Sequence, residues 1–374
     1  MSGVTFDVSL HWEHTTAAFQ TEGVDMTQKT MLPEGNKWIC QLTRRDFLST
    51  AAMLMSGRRL SGQRSTSPFA ILDLNHISIG VSDLARSLEF YQELFDLTVY
   101  TRQNSGQLPI MTIGSGPQFV ALSQNRRSDS TQQGVGHHFC VHLENFDPDR
   151  VIRSLAELGV EARVFPWTYN GTRYDLRPAA AQRPLIVDAA DTPEVVFNDP
   201  DGVLLQIQDV SYCGGVGRLG GQCGIPERAE RTREAAFAVR TLNHVSIPVS
   251  NVRRSFDYYH RVFGFSHKTS QSRGAVPILT IGSGPQFIAL RQGHLGGHHF
   301  CLGIDLFDPQ QAIQTLSDHG VEGRLRLRRA SDQRPAYPNG EDTPEVTFID
   351  PDGITVQIQD TSYCGGVGPL GNVC

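Results

Sequence analysis

Leu74-Asn75-His76-Ile77-Ser78-Ile79 alternates apolar with small or polar side chains, and the pattern returns as Leu242-Asn243-His244-Val245-Ser246-Ile247. A period of two marks a strand with one buried face, because successive side chains point to opposite sides of the pleat. Leu74, His76 and Ser78 share one face, and Asn75, Ile77 and Ile79 the other. One histidine at a strand centre is explained as well by core packing as by ligation. A second histidine and an oxygen donor at matched places in both copies is a stronger pattern, and outward from these two strands the chain is doubled.

Ser82 or Asp83 is a candidate N-cap after the first strand, and Leu84, Leu88, Tyr91 and Phe95 follow at the spacing of an amphipathic helix. Short strands are expected at 98–101, 109–113 and 118–122, the last two split by Gly114-Ser115-Gly116-Pro117. A second half then opens with His137-His138-Phe139-Cys140-Val141, continues with a helix over 148–158, and reaches strands at 161–165, 194–197 and 203–208. The turn Asp199-Pro200-Asp201-Gly202 joins the last two strands. Each piece has its match later, at 250–263, 278–290, 298–302, 309–319, Asp350-Pro351-Asp352-Gly353 and 354–359. The spacing predicts an α+β fold: two tandem modules, each of two βαβββ units with curled mixed sheets. The boundaries fall at a leader (1–68), a first module (69–223), a linker (224–240) and a second module (241–374).

Length agrees with two domains plus extras, since 374 residues exceed one ordinary core. A formal charge of -6 offers no electrostatic reason for nucleic acid or an anionic membrane, and no run approaches the roughly 18 apolar residues of a span. In the leader, Thr43-Arg44-Arg45-Asp46-Phe47-Leu48 resembles a twin-arginine export signal, with a short apolar run behind it. The expected location is therefore periplasmic or secreted, with the cytoplasm as alternative. Cys213 and Cys223, like Cys364 and Cys374, close Gly-rich loops in near-identical tails, and they read either as small disulfide loops or as reduced thiols. A disulfide would need an oxidising compartment.

Three positions per module carry the chemistry: His76, His138 and Gln206, matched by His244, His299 and Gln357. Two imidazoles and one oxygen donor with open positions left is the facial arrangement of non-haem Fe(II) sites, acceptable also to Mn(II) or Zn(II). Asn75-His76-Ile77, the following helix, His138-Phe139-Cys140-Val141 and Asp199-Pro200-Asp201-Gly202 resemble the vicinal oxygen chelate superfamily. That group includes glyoxalase I, fosfomycin- and bleomycin-resistance proteins and extradiol dioxygenases. The resemblance implies that the six residues named above are metal ligands.

The departure is the third ligand, where the family usually has glutamate and both modules have glutamine. An uncharged amide binds a cation more weakly, which points either to an anionic chelating substrate that completes the sphere or to a site that has lost its metal. Gln208 and Gln359 share the ligand face as backup donors, whereas Asp209 and Asp360 point to the other. His142 shares a face with His138 but is replaced by Gly303 in the second copy, and Cys140 and Cys301 read as small buried hydrophobes. The strand Phe119-Val120-Ala121-Leu122-Ser123 has no good ligand at its centre, which weighs against a glyoxalase mechanism and towards a site where substrate supplies two oxygens. A metal-dependent lyase or isomerase, needing a base not found in the sequence, and a non-catalytic binder of the resistance type stay open. Trp167, Tyr174 and Arg183, with Arg334 from the repeated Gln-Arg-Pro, are the candidate substrate contacts. The expected partner is a small-molecule substrate, with room left for a homo-oligomer.

Overall fold

In the computed structural model the residues described are 67–103, 107–124, 136–167, 192–224, 235–293 and 298–374. The leader with its Arg44-Arg45 pair, the loop holding Tyr174 and Arg183, and the side chain of Trp167 lie outside them. The histidine stretches are the long strands β1 (Ile71–Val81) and β9 (Val239–Val249). After β1 come α1 (Leu84–Phe95), β2 (Thr98–Gln103), β3 (Leu108–Thr112) and β4 (Phe119–Gln124). The second unit follows as β5 (Gly136–Leu143), α2 (Pro148–Glu157), β6 (Ala162–Trp167), β7 (Thr192–Asn198) and β8 (Leu204–Asp209). In the second module β9 leads to α3 (Val252–Phe263), β10 (Ser266–Gln271), β11 (Val276–Thr280) and β12 (Phe287–Gln292). β13 (His299–Ile304), α4 (Pro309–Asp318), β14 (Arg324–Arg328), β15 (Thr343–Ile349) and β16 (Thr355–Asp360) complete it.

The strand order is β2-β3-β4-β1-β5-β8-β7-β6 in one sheet and β10-β11-β12-β9-β13-β16-β15-β14 in the other, eight strands each. β1 and β5 run antiparallel, while β4 lies parallel to β1 and β8 parallel to β5. The first and last strands of both βαβββ units are thus the four central strands of one mixed sheet. The second sheet curls: Gln271 and Arg326 come from its opposite edge strands, yet both line one cavity.

Asp83 sets the start of α1 by accepting a hydrogen bond from the Arg86 backbone N–H, and Asn251 does the same for Arg254 in α3. Tyr91, Leu94 and Phe95 form the buried face of α1. The Asp-Pro-Asp-Gly turns do more than reverse the chain, because each docks on the helix start of the other module. Asp352 accepts from the Ser82 backbone N–H at 2.7 Å, from the hydroxyls of Ser82 and Ser87 and from Arg86, while Tyr91 donates to Asp350 at 2.8 Å. Asp201 repeats this with Ser250, Ser255 and Arg254, and Asp199 with Tyr259.

Gln118 and Gln286 join the starts of β1 and β9 reciprocally. Gln118 accepts from Leu242 N–H and donates to the Leu74 carbonyl; Gln286 accepts from Leu74 N–H and donates to the Leu242 carbonyl. Gly282, at φ 59°, packs so closely that a Cβ would fall 1.7 Å from the Leu72 carbonyl oxygen. Apolar side chains of both modules merge into one buried cluster, with the Phe95 ring 5.9 Å from those of Phe237 and Phe348.

Candidate metal centre

Backbone register brings the sequence-predicted residues together inside each module. Phe119, His76, Cys140 and Gln206 stand in one row across β4, β1, β5 and β8. Phe287, His244, Cys301 and Gln357 form the same row in the second sheet. His138 and His299 lie two residues along from the cysteines and so share their face. Nε2 of His76 lies 2.9 Å from Nε2 of His138, and Nε2 of His244 lies 3.3 Å from Nε2 of His299. Gln206 and Gln357 stand against His76 and His244, and among the described residues the buried Nε2 of each amide has no partner.

The hydrogen bonds around Asn75 fix the proton on His76. Asn75 Nδ2 donates to the Tyr212 carbonyl at 2.9 Å, and that oxygen can only accept. Asn75 Oδ1 is therefore the acceptor that faces His76 Nδ1, which carries the N–H. The unprotonated nitrogen of His76 is then Nε2, the atom turned to His138. Asn243, donating to the Tyr363 carbonyl and accepting from His244 Nδ1, imposes the same tautomer in the second module. His142 extends the first network, with Nε2 accepting from Asn75 Nδ2 and Nδ1 donating to Asp73. Its counterpart Gly303 lies beside Thr241, where a Cβ would clash, so that network has no copy.

Burial, then the neighbouring imidazoles His138 and His142, hold the His76 pKa well below its ordinary value. Burial likewise brings His299 down to about 4, with Arg291 and His298 lowering it and Glu345 opposing. Neutral imidazoles at neutral pH keep their lone pairs for a cation. Two nitrogens bound side by side at about 2.1 Å to one ion lie about 3 Å apart, which the observed separations match. Among the described residues no three His, Cys, Asp or Glu side chains gather, so the third donor available is an amide. The donor set thus fits a divalent ion, held by uncharged groups alone.

In the second module the row opens onto a cavity of about 100 Å³. Phe287 of β12 stacks on His244 at 4.2 Å, as Phe119 of β4 does on His76, so an aromatic ring covers each histidine. Glu345 and Tyr363 also line the cavity. Tyr363 donates to Glu345 and accepts from Arg328, whose guanidinium lies 2.8 Å from the same carboxylate. In the first module Tyr212 donates to Glu194 at 2.5 Å and accepts from Gln103. Sequence reasoning missed these carboxylate–phenol pairs. The available signals were Thr192-Pro193-Glu194-Val195 repeated as Thr343-Pro344-Glu345-Val346, and the tyrosine shared by both tails.

The tails do hold disulfides, Cys213–Cys223 and Cys364–Cys374, and the tyrosine just before each loop enters the site. Arg334 does not reach the cavity. It is exposed and donates to the carbonyls of Ser331 and Gln333, because its backbone pairs with Ser270 in a bridge that turns the side chain outwards. Gln333 is the buried member of the repeated Gln-Arg-Pro, bonded to Arg328 and Thr269. Gln208 is buried with neither amide atom partnered among the described residues, whereas Gln359 donates to the Pro344 carbonyl.

Sheets assembled from two βαβββ units, with a cluster of two imidazoles and an amide on the inner face, define a class of small-molecule site built on paired units. The chain belongs to the Glyoxalase/Bleomycin resistance protein/Dioxygenase superfamily, matched over residues 73–207 and 241–358. Its fold is similar to that of the 2,3-dioxygenase LapB from Pseudomonas sp. KL28, at 15% identity and a TM-score of 0.53 over 78% of this chain and 92% of that one. The Mn(II)-bound glyoxalase from Novosphingobium aromaticivorans is similar at 14% identity and a TM-score of 0.54, over 81% of this chain and 85% of the other. Glutathione transferase FosA from Serratia marcescens is 31% identical over 99 residues, 26% of this chain, and the match spans 64% of that relative's length.

Proposed function

We propose that the protein is a metal-dependent enzyme, dioxygenase-like, acting on a small molecule with two neighbouring oxygens. The observation that carries this reading is the convergence of two imidazole Nε2 atoms and one amide beside a cavity that Phe287 also lines. His76, His138 and Gln206, with His244, His299 and Gln357, would hold a divalent ion, Fe(II) favoured and Mn(II) or Zn(II) as alternatives. Such an ion supplies Lewis acidity and orients reactants. The protein's own residues do the rest. Asn75 and Asn243 keep the imidazole lone pairs aimed inward, and Phe119 and Phe287 cover the histidine rings and keep water off one side.

A lyase or isomerase of glyoxalase type is the second reading, favoured by Glu345 and Tyr363, a carboxylate that accepts a hydrogen bond from a phenol at the cavity wall. A non-catalytic binder is the third. Metal analysis of the purified chain and of its His138→Ala and His299→Ala variants tests all three. Metal bound by the parent and reduced by each variant supports the site, and undiminished metal in both variants removes it. A parent free of metal supports the binder. Oxygen uptake with a panel of catechols supports the dioxygenase, and its absence with metal present supports the lyase. We also propose export by the twin-arginine route, supported by disulfides that suit an oxidising compartment. Cell fractionation checks it: replacing Arg44 and Arg45 by lysine should leave the protein in the cytoplasm.

A further inference from the structure

The two modules differ in the residues that stand at matched register positions of β6 and β14 and of β4 and β12. β14 reads Arg324-Leu325-Arg326-Leu327-Arg328, so its arginines share one side of the sheet, and Arg326 stands opposite Glu345 in register. Arg326 and Arg328 line the second-module cavity, and Arg291 on β12 lines it as well. Thr343 stands opposite Arg328, while in the first module Thr192 stands opposite Trp167, which places Phe165 and Trp167 where Arg326 and Arg328 are. Ser123 holds the position of Arg291, since Gly80 pairs with the one and Pro248 with the other. The first module therefore has two aromatics and a serine where the second has three arginines.

Among the described residues Glu345 is the one carboxylate lining this cavity, and its charge is matched by buried Arg328 at 2.8 Å. Arg326 and Arg291 are exposed residues of its lining, so their guanidinium groups face its opening. A guanidinium offers a planar fork that fits a carboxylate with two parallel hydrogen bonds. We propose that the second-module cavity selects an anionic ligand: a small molecule whose carboxylate meets Arg326 and Arg291 while its pair of neighbouring oxygens faces His244 and His299. This rests on reading the cavity as a site for oxygen-chelating molecules, and it assigns no such preference to the first module.

Calorimetric titration of the full chain with three probes tests it: benzoate, which has only the anion; catechol, which has only the oxygen pair; and 3,4-dihydroxybenzoate, which has both. One equivalent of 3,4-dihydroxybenzoate per chain should bind at least about tenfold more tightly than catechol, with an advantage that shrinks as salt is raised. Arg326→Gln should cancel that advantage, and Arg291→Gln should reduce it. Arg253→Gln, on the exposed side of α3, should leave it intact. Arg326 is the residue to vary because it is exposed, whereas removing Arg328 would strand the Glu345 carboxylate. Benzoate binding lost in Arg326→Gln, without any catechol binding, would support the anion site while removing the chelate reading. Equal affinity for 3,4-dihydroxybenzoate and catechol, an advantage that survives Arg326→Gln, or no binding of either carboxylate at millimolar concentration overturns the proposal.

Discussion

An amide where a carboxylate would serve leaves the cluster without a negative charge, and Gln206 and Gln357 make this choice in the middle of a buried row. Gln357→Glu should tighten divalent-metal binding about tenfold, roughly 1.4 kcal/mol, in competition with a chelator. The same variant should melt below the parent when metal-free and above it when metal is added, because an unpaired buried carboxylate is costly and a paired one is not. Melting that ignores metal would show that this side chain does not face an ion. Asn243→Ala frees His244 Nδ1 and should weaken metal binding about 10- to 100-fold, measured the same way. The histidines and glutamines were legible in the sequence because strand parity fixes which residues share a face. A register shift between Leu74 and His76 breaks that parity, so Asn75 joins His76 and Leu74 joins the core with Ile77, the reverse of the alternation. Glu194 and Glu345 were not legible, since their role depends on tyrosines that return from the tails. The repeated Gln-Arg-Pro pointed to Arg334, but repetition does not tell which of its residues turns inward, and that residue is Gln333.

Turns, helices and their caps behave as one element across the modules. Burial by itself would raise the Asp201 carboxyl, but hydrogen bonds from Ser250 side chain and backbone, Ser255 and Arg254 hold it down at about 2. Asp352 is lowered in the same way by Ser82, Ser87 and Arg86. Folded-state values below the ordinary carboxylate value of about 3.9 mean that this stabilisation is present above pH 4 and lost as pH falls towards 2. Asp199 and Asp350, raised by burial despite bonds from Tyr259 and Tyr91, act in the opposite sense and weigh against the fold as pH rises past that value. Asp201→Ala should cost about 1–3 kcal/mol at pH 7, because the Ser250 and Ser255 hydroxyls lose their acceptor while the half-exposed Arg254 stays solvated, and the loss should shrink near pH 2. Denaturant unfolding at both pH values checks this, and a pH-independent loss would count against it. The sequence marked Asp-Pro-Asp-Gly as a turn. It could not say what the aspartates hold, because turn propensity is local and these partners are about 50 and 270 residues away along the chain.

At the scale of the whole molecule, the doubling was readable from repeated motifs, but the joining of the modules was not. Hydrophobic periodicity tells that Phe95 and Phe263 are buried, not that Phe95 meets Phe348 and Phe263 meets Phe197 across the module boundary. One apolar cluster runs through both modules, and Gln118 and Gln286 each bond backbone in both copies of the histidine strand. Strands β1 and β9 therefore carry a site on one face and the shared core on the other, so site geometry depends on the neighbouring module. Separating the chain between residues 224 and 235 would expose that core on both halves. Each half alone should lose its sharp thermal transition and bind the dye ANS, as a state without specific packing does. Mixing the halves should restore one cooperative transition together with the metal binding of both. Independent, cooperative unfolding of either half alone, with its metal site retained, would show that the modules are self-sufficient and that the shared core is only contact between finished domains.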